Sequence, residues 1–569
     1  MTSDERGNPP QHGFLAGGTF ATYHPPSGPE RNVAYVICPP LGYEAIECYH
    51  SLLRLAQGLA GAGFATVRIE YHGTGESLGT DEDPGRVAAW LDSIRQAVAT
   101  LRDGGVEAIG LIGLRLGATF AAKVAAEIEI DRLVLWHPCI SGAMYTREVE
   151  IMASAAAKAL GTPPLANGGL EAAGYLLTSE TMKDLSELKS DQPHLCGRPE
   201  ILVVDRDDRP AVQRLGPHYT SLRYAVTVEK VPGYKEMMID PAKSQVPTEA
   251  LARIRDWAVE HSRSRERPSR DVTLQEEIPD ELVRRRAVRF GPNRRLLGIV
   301  TEPVAAAANR PGVILLAGGI VPRTAVNRMY VPLARRLAGL GHRVLRVDIA
   351  GIGESSPAAG AARNDPYADS LLDDVVTSLR WISSGNGSNR AWLVGLCSGA
   401  YASFQTALTE QQVLGVVLIN PLVFYWKKLS AEPPTVHDTD ASKHYGRSLL
   451  SPAKWRKLIA GKVDLRYAMN TLAAPVRNRL ASRWGRDLPG DLSGLLSRGV
   501  AVNLAFSEGD PGYDAFVDQV GRRLSKLQRD GLVLRSYQGA DHTFSPLHVR
   551  GELLDWIVDR VCAHRGSND

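Results

Sequence analysis

The 569-residue sequence has no cysteine pair at C-x-x-C spacing. Its six cysteines, Cys38, Cys48, Cys139, Cys196, Cys397 and Cys562, are scattered along the chain. That scatter argues against a zinc site or a disulfide framework and makes a reduced, cytoplasmic protein the expectation. No apolar run approaches the roughly 20 residues a membrane helix needs, so no transmembrane segment is expected. Residues 1–13 are polar and lack the apolar stretch of a secretory signal. Neither sign of charge dominates: 66 Lys and Arg stand against 63 Asp and Glu, a net charge of +3. That balance gives no whole-chain case for nucleic acid. No glycine-rich phosphate loop, metal-ligand cluster or redox motif stands out. GTGES and GIGES are too short and wrongly placed to be P-loops, and no cofactor is expected.

What is present is a repeat. The chain is too long for one core, and its 44% hydrophobic and 23% charged residues are an ordinary globular balance. Residues 33–77 read VAYVICPPLGY, then LLRLAQGLAGAGF, then ATVRIEYHGTGES. Residues 311–355 read PGVILLAGGIV, then PLARRLAGLGH, then RVLRVDIAGIGES. Glu76 aligns with Glu354 at an offset of 278, and Gly113 with Gly395 at 282. Each half reads as a buried strand, an amphipathic helix and a second buried strand. Further strands follow (AIGLIG and RLVLWHP, or AWLVG and GVVLINP). Buried strands alternating with helices predict a mostly parallel sheet with right-handed crossovers.

Residues 261–272, HSRSRERPSRDV, are charged and poor in apolar side chains, as suits a linker. The expected domains are therefore residues 1–266 and 267–569. A long insert follows the fourth strand of each half, at about residues 140–198 and 422–498. Inserts of that length are expected to carry their own helices over the carboxyl ends of the strands.

The chemistry concentrates in the second half. Gly395-Leu396-Cys397-Ser398-Gly399 has the form G-x-nucleophile-x-G between a strand and a helix. The helix N-terminus beneath is expected to favour a Cys397 thiolate. The Ser398 N–H would face a developing oxyanion, with the second donor expected from Gly319 or Ile320. Ser398 as nucleophile is an alternative, but its flanking glycines are misplaced. Asp510 follows the strand VAVNLAF, and His542 follows VLRSY in Gly539-Ala540-Asp541-His542. In that order His542 would deprotonate Cys397 and Asp510 would fix the imidazole tautomer. Glu508 and Asp514 are nearby alternatives for the acid. Glu354 also has a plain reading as a brace for its own loop.

The elbow, the order of its partners and the GADHTF loop resemble the alpha/beta-hydrolase superfamily over nearly the whole chain. The implied fold is α/β, two tandem alpha/beta-hydrolase domains with helices on both faces and helical cap inserts. A cysteine at the elbow resembles dienelactone hydrolases and polyhydroxyalkanoate synthases. A GLRLGA half joined to a Cys half ending in DHTFS resembles the two hydrolases associated with exosortase and exopolysaccharide loci, here fused.

The first half departs from this chemistry. Arg115 stands at its elbow position in Gly113-Leu114-Arg115-Leu116-Gly117, and Glu236 stands where His542 aligns. A guanidinium is always protonated and cannot attack a carbonyl. An ion pair between Arg115 and Glu236 is therefore expected, with anion binding by Arg115 as the alternative.

The expected reaction is acyl transfer on an acyl thioester or ester, by an acyltransferase or by a thioesterase or esterase, with the first domain a pseudoenzyme. A binding or scaffolding protein with a vestigial site is the alternative. Residues 454–486 hold nine basic residues and one acid, Asp464. They read either as a solvated cap face or as a dock for an acyl-carrier protein, a coenzyme A phosphate or an anionic membrane.

Overall fold

Runs rich in β-branched and other apolar residues become interior strands because both of their faces are covered. VAYVIC, AWLVGL and VLGVVLI are buried at every position. The computed structural model describes residues 9–165, 168–208, 212–265, 272–304, 310–384, 388–426 and 487–563. The basic stretch at 454–486 lies outside the described residues.

The strands of the first half are β1 (Gln11–Phe14), β2 (Phe20–His24), β3 (Val33–Cys38), β4 (Thr66–Glu70), β5 (Ala108–Leu114), β6 (Arg132–Trp136), β7 (Leu170–Ala172), β8 (Tyr175–Leu177), β9 (Glu200–Arg206) and β10 (Val226–Val231). Eight of them form one sheet in the order β1-β2-β4-β3-β5-β6-β9-β10. In that order the strands from β4 to β10 are parallel, and β2 and β1 add antiparallel at the β4 edge.

The strands of the second half are β11 (Glu277–Pro279), β12 (Val283–Phe290), β13 (Leu296–Pro303), β14 (Gly312–Leu316), β15 (Val344–Asp348), β16 (Ala391–Leu396), β17 (Val413–Ile419), β18 (Ala501–Ser507) and β19 (Val533–Tyr537). They form a second sheet in the order β11-β12-β13-β15-β14-β16-β17-β18-β19. In each sheet one strand, β3 or β14, has its two sequence successors on opposite sides. Ligands bind outside the carboxyl ends of strands at such a switch point.

Amphipathic helices cover the sheets. Tyr49–Gly61 buries Leu52, Leu55, Ala56 and Leu59, and Leu371–Ser383 buries Leu371, Val375, Leu379 and Ile382. Each fully buried leucine contributes about 1.5–3 kcal/mol of apolar transfer energy. The insert of the first half carries the helices Gly142–Leu160 and Ser179–Ser186 and the β7–β8 hairpin.

The chain forms two compact units. One comprises residues 1–308, 320–364 and 545–547; the other comprises 309–319, 365–544 and 548–569. The first unit contains a buried charge network. Arg346 Nη1 donates to Glu76 Oε2 at 2.5 Å, and Arg323 Nε lies 3.1 Å from Glu76 Oε1. Arg323 also reaches Asp348, at 2.9 Å. Tyr49 Oη donates to Glu354 at 2.5 Å, and Arg68 pairs with the same carboxylate. Arg68 and Arg346 are separated by the same 278 positions as Glu76 and Glu354. Each arginine therefore pairs with the other half's GES glutamate.

Candidate active site

Cys397 terminates β16 and precedes the helix Ser398–Thr409 with φ 54° and ψ −113°. Such a backbone is strained for a non-glycine residue and persists only where the surroundings hold it. The flanking glycines are required by close approach. A Cβ at Gly395 would lie 2.1 Å from the Gly399 oxygen, and one at Gly399 would lie 2.3 Å from the Leu316 oxygen. The Cys397 amide donates to Ile419 O at 2.9 Å, which ties the turn to β17.

The structure brings Asp510 and His542 together beyond the ends of β18 and β19. His542 Nδ1 donates to Asp510 Oδ2 at 2.6 Å. The other Asp510 oxygen accepts from Gly512 N at 2.8 Å and caps the helix Pro511–Val520. Each oxygen of the carboxylate thus accepts one hydrogen bond. Glu508 and Asp514 are exposed, whereas Asp510 is 4% exposed. Burial alone would push the His542 imidazole down; the charge of Cys397 and the Asp510 carboxylate outweigh it and lift it to about 10.

Asn420 was not legible as a site residue. It is fully buried at the end of β17 with φ 43°. Its Nδ2 donates to the His542 carbonyl at 2.8 Å and to Ser507 Oγ at 3.0 Å, and its Oδ1 accepts from Ser507 N at 2.8 Å. It clamps the histidine loop to β18. The available signal was an asparagine before proline at a strand end, a place where asparagine tolerates left-handed backbone.

Of the expected oxyanion donors, the Gly319 amide has a side-chain partner in this structure: it donates to Ser398 Oγ at 2.9 Å. Ile320 belongs to the first compact unit, where it lines a small hollow with Ile46, Tyr49 and His50. Ser398 is buried, and its hydroxyl is committed to that hydrogen bond, which counts against it as a nucleophile.

Arg115 occupies an elbow of the same shape in the first unit, with φ 53° and ψ −122° before the helix Leu116–Ala125. The expected pair with Glu236 is not what it makes. Arg115 pairs with Glu44 at 2.8 Å and Glu148 at 3.2 Å, while Glu236 is exposed on the short helix Tyr234–Met237. The reason is local: Glu44 lies on the loop helix after β3 and reaches the elbow directly, so Glu236 is left to solvent. Two carboxylates on the guanidinium also leave little positive charge for a bound anion, the other reading of Arg115.

Residues 312–465 match the family described as serine aminopeptidase, S33. With the strand order and the elbow, that match decides the architecture. The chain has the alpha/beta-hydrolase fold. Within the matched stretch Cys397 stands at the centre of the G-x-C-x-G turn.

Similar solved structures include ferulic acid-bound Est1E from Butyrivibrio proteoclasticus, at 18% identity, covering 44% of this chain and 98% of that one, with a TM-score of 0.33. A Pyrococcus furiosus esterase is similar at 12% identity, covering 49% and 90%, with a TM-score of 0.32. Proline iminopeptidase from Mycobacterium smegmatis is similar at 13% identity, covering 44% and 98%, with a TM-score of 0.30. No curated protein matches the chain. Among the described residues, no helix is long and apolar enough to cross a membrane. Among the same residues, no group of three or more His, Cys, Asp or Glu side chains is placed to hold a metal ion.

Proposed function

We propose that this alpha/beta-hydrolase-fold protein is an acyl-transfer enzyme with Cys397 as nucleophile, acting as an acyltransferase or as a thioesterase or esterase. The observation that carries the reading is Cys397 at a strained elbow, with His542 held by Asp510 at 2.6 Å in the same compact unit. The Cys397 thiolate attacks the acyl carbon of a thioester or ester, and the carbonyl electron pair moves onto oxygen. The tetrahedral intermediate collapses, and the leaving thiolate or alkoxide takes the proton from the His542 imidazolium. Neutral His542 then deprotonates water or an acceptor alcohol or amine. That nucleophile attacks the acyl-cysteine and expels the Cys397 thiolate. Asp510 keeps Nδ1 protonated throughout, leaving Nε2 for each transfer.

On this reading the two halves are tandem hydrolase domains, at about residues 1–266 and 267–569, and the first is a non-catalytic partner. The Arg115 elbow supports that role, since a paired guanidinium is not a nucleophile. The reciprocal Arg68–Glu354 and Arg346–Glu76 pairs support the duplication.

The test is intact mass after incubation with a panel of acyl thioesters, on wild type and Cys397→Ala. An adduct in wild type only, or free acid released by wild type only, supports the reading. Neither signal from any donor, with Cys397 also inert to iodoacetamide, overturns it in favour of a binding or scaffolding protein.

A further inference from the structure

An elbow enzyme needs two donors for the oxyanion, and this one presents a single obvious amide. The N–H of Ser398, the residue after the nucleophile, supplies one. The Gly319 amide, where a second is expected, is occupied by Ser398 Oγ. Within the same compact unit lies a hydroxyl with no assigned work. Tyr367 is 7% exposed, and its Oη has no hydrogen-bond partner. Leaving a buried phenol unsatisfied costs about 1–3 kcal/mol, so such a group invites a functional explanation.

Its surroundings supply that explanation. The Tyr367 ring lies edge-on to Tyr401 at 5.4 Å and stacks on Trp426 at 4.9 Å. Tyr401 is on the first turn after the nucleophile, and its amide donates to the Cys397 carbonyl at 3.1 Å. Two aromatic neighbours therefore hold the phenol ring, one of them on the first turn of the helix that follows Cys397.

We propose that the Tyr367 hydroxyl is the second donor to the oxyanion that forms on the substrate of Cys397. The inference rests on the acyl-transfer reading of this site. No bond to Tyr367 is made or broken: its O–H donates to the carbonyl oxygen as negative charge builds there, and the proton stays on the phenol. Burial, then the charges of Cys397 and Tyr401, hold that phenol well above its usual range. It therefore remains a neutral donor at any working pH. A donor with no partner in the ground state gains its hydrogen bond only as the transition state forms, which raises kcat rather than affinity.

The experiment uses full-length wild type, Tyr367→Phe and Cys397→Ala with 4-nitrophenyl acetate. The expected result for Tyr367→Phe is a fall in kcat of about 10²–10³-fold, the usual effect of deleting one oxyanion donor. KM, the rate of Cys397 alkylation by iodoacetamide and its pH profile should all be unchanged. The phenylalanine keeps both ring contacts, and an unchanged thermal midpoint checks folding. If it does not fold, 2,3-difluorotyrosine at position 367 keeps the ring and alters only the acidity of the hydroxyl, and kcat should move without KM. A kcat within about threefold of wild type, while Cys397→Ala is inactive, overturns the proposal and leaves the cysteine mechanism standing. Equal turnover by wild type and Cys397→Ala overturns the mechanism, and this proposal with it.

Discussion

Replacing Glu76 by Gln should be among the most destabilising single changes in the first compact unit. Glu76 is 0% exposed, as is the Arg346 side chain that donates to it at 2.5 Å. Arg323, 1% exposed, lies 3.1 Å from its other oxygen. The amide keeps the shape and removes the charge. Arg323 retains Asp348 at 2.9 Å, but Nε and Nη2 of Arg346 have no hydrogen-bond partner, so its guanidinium depends on Glu76. Removing one partner of a buried pair costs about 3–5 kcal/mol, mostly because the remaining charge stays buried without compensation. At roughly 2–4 °C per kcal/mol for a sizeable domain, the thermal midpoint should fall on the order of 10 °C. Chemical denaturation of wild type, Glu76→Gln and the exposed control Glu82→Gln measures the difference, with the control expected within about 0.5 kcal/mol. The double change Glu76→Leu with Arg346→Met should lose less than Glu76→Gln alone, because no orphaned Arg346 charge remains. A loss under about 1 kcal/mol for Glu76→Gln would refute the reasoning.

Further outcomes follow from the same geometry. The folded pKa of Glu76 is depressed: burial raises it, but Arg346 and Arg323 win. That stabilisation is present above the unfolded value near 4.3 and is lost as pH falls through the folded one. His24, lowered to about 3 by burial and by Arg68, has the same sign over a higher window. Its contribution is full above about pH 6.5 and is lost towards pH 3, so His24→Gln should flatten the acid limb of a stability–pH curve. Asp510→Asn removes a charge that raises His542. The alkaline limb of kcat/KM should therefore move to lower pH, and an unmoved limb would exclude the carboxylate from that role. His542 itself stabilises the fold fully below about pH 6.5, and that contribution disappears as pH rises through about 10. Gly399→Ala places a methyl 2.3 Å from the Leu316 oxygen. It should cost about 1–3 kcal/mol and abolish Cys397 acylation, read by denaturation and intact mass.

The strands and the G-x-C-x-G elbow were legible in the sequence because each rests on local physics. Buried parallel strands must read as unbroken apolar runs, and the elbow tolerates only glycine where the neighbouring backbone passes at van der Waals contact. The 278-residue offset between the GES turns was legible for the same reason, as repeated local pattern. The partners of side chains were not. Sequence alignment set Arg115 against Glu236, yet its carboxylates are Glu44 and Glu148, brought by a loop helix and by the insert. Alignment likewise said nothing of Asn420, which works by clamping the His542 carbonyl at 2.8 Å from another strand. Nor did it give Glu354, read as a possible brace for its own loop, a partner in Arg68, 286 residues away. Periodicity and turn chemistry depend on neighbours a few positions apart, so the sequence by itself determined where strands, helices and the elbow lie. Which charge meets which, and which buried hydroxyl is left without a hydrogen-bond partner, depends on atoms brought together across hundreds of residues. Only the tertiary structure decided that.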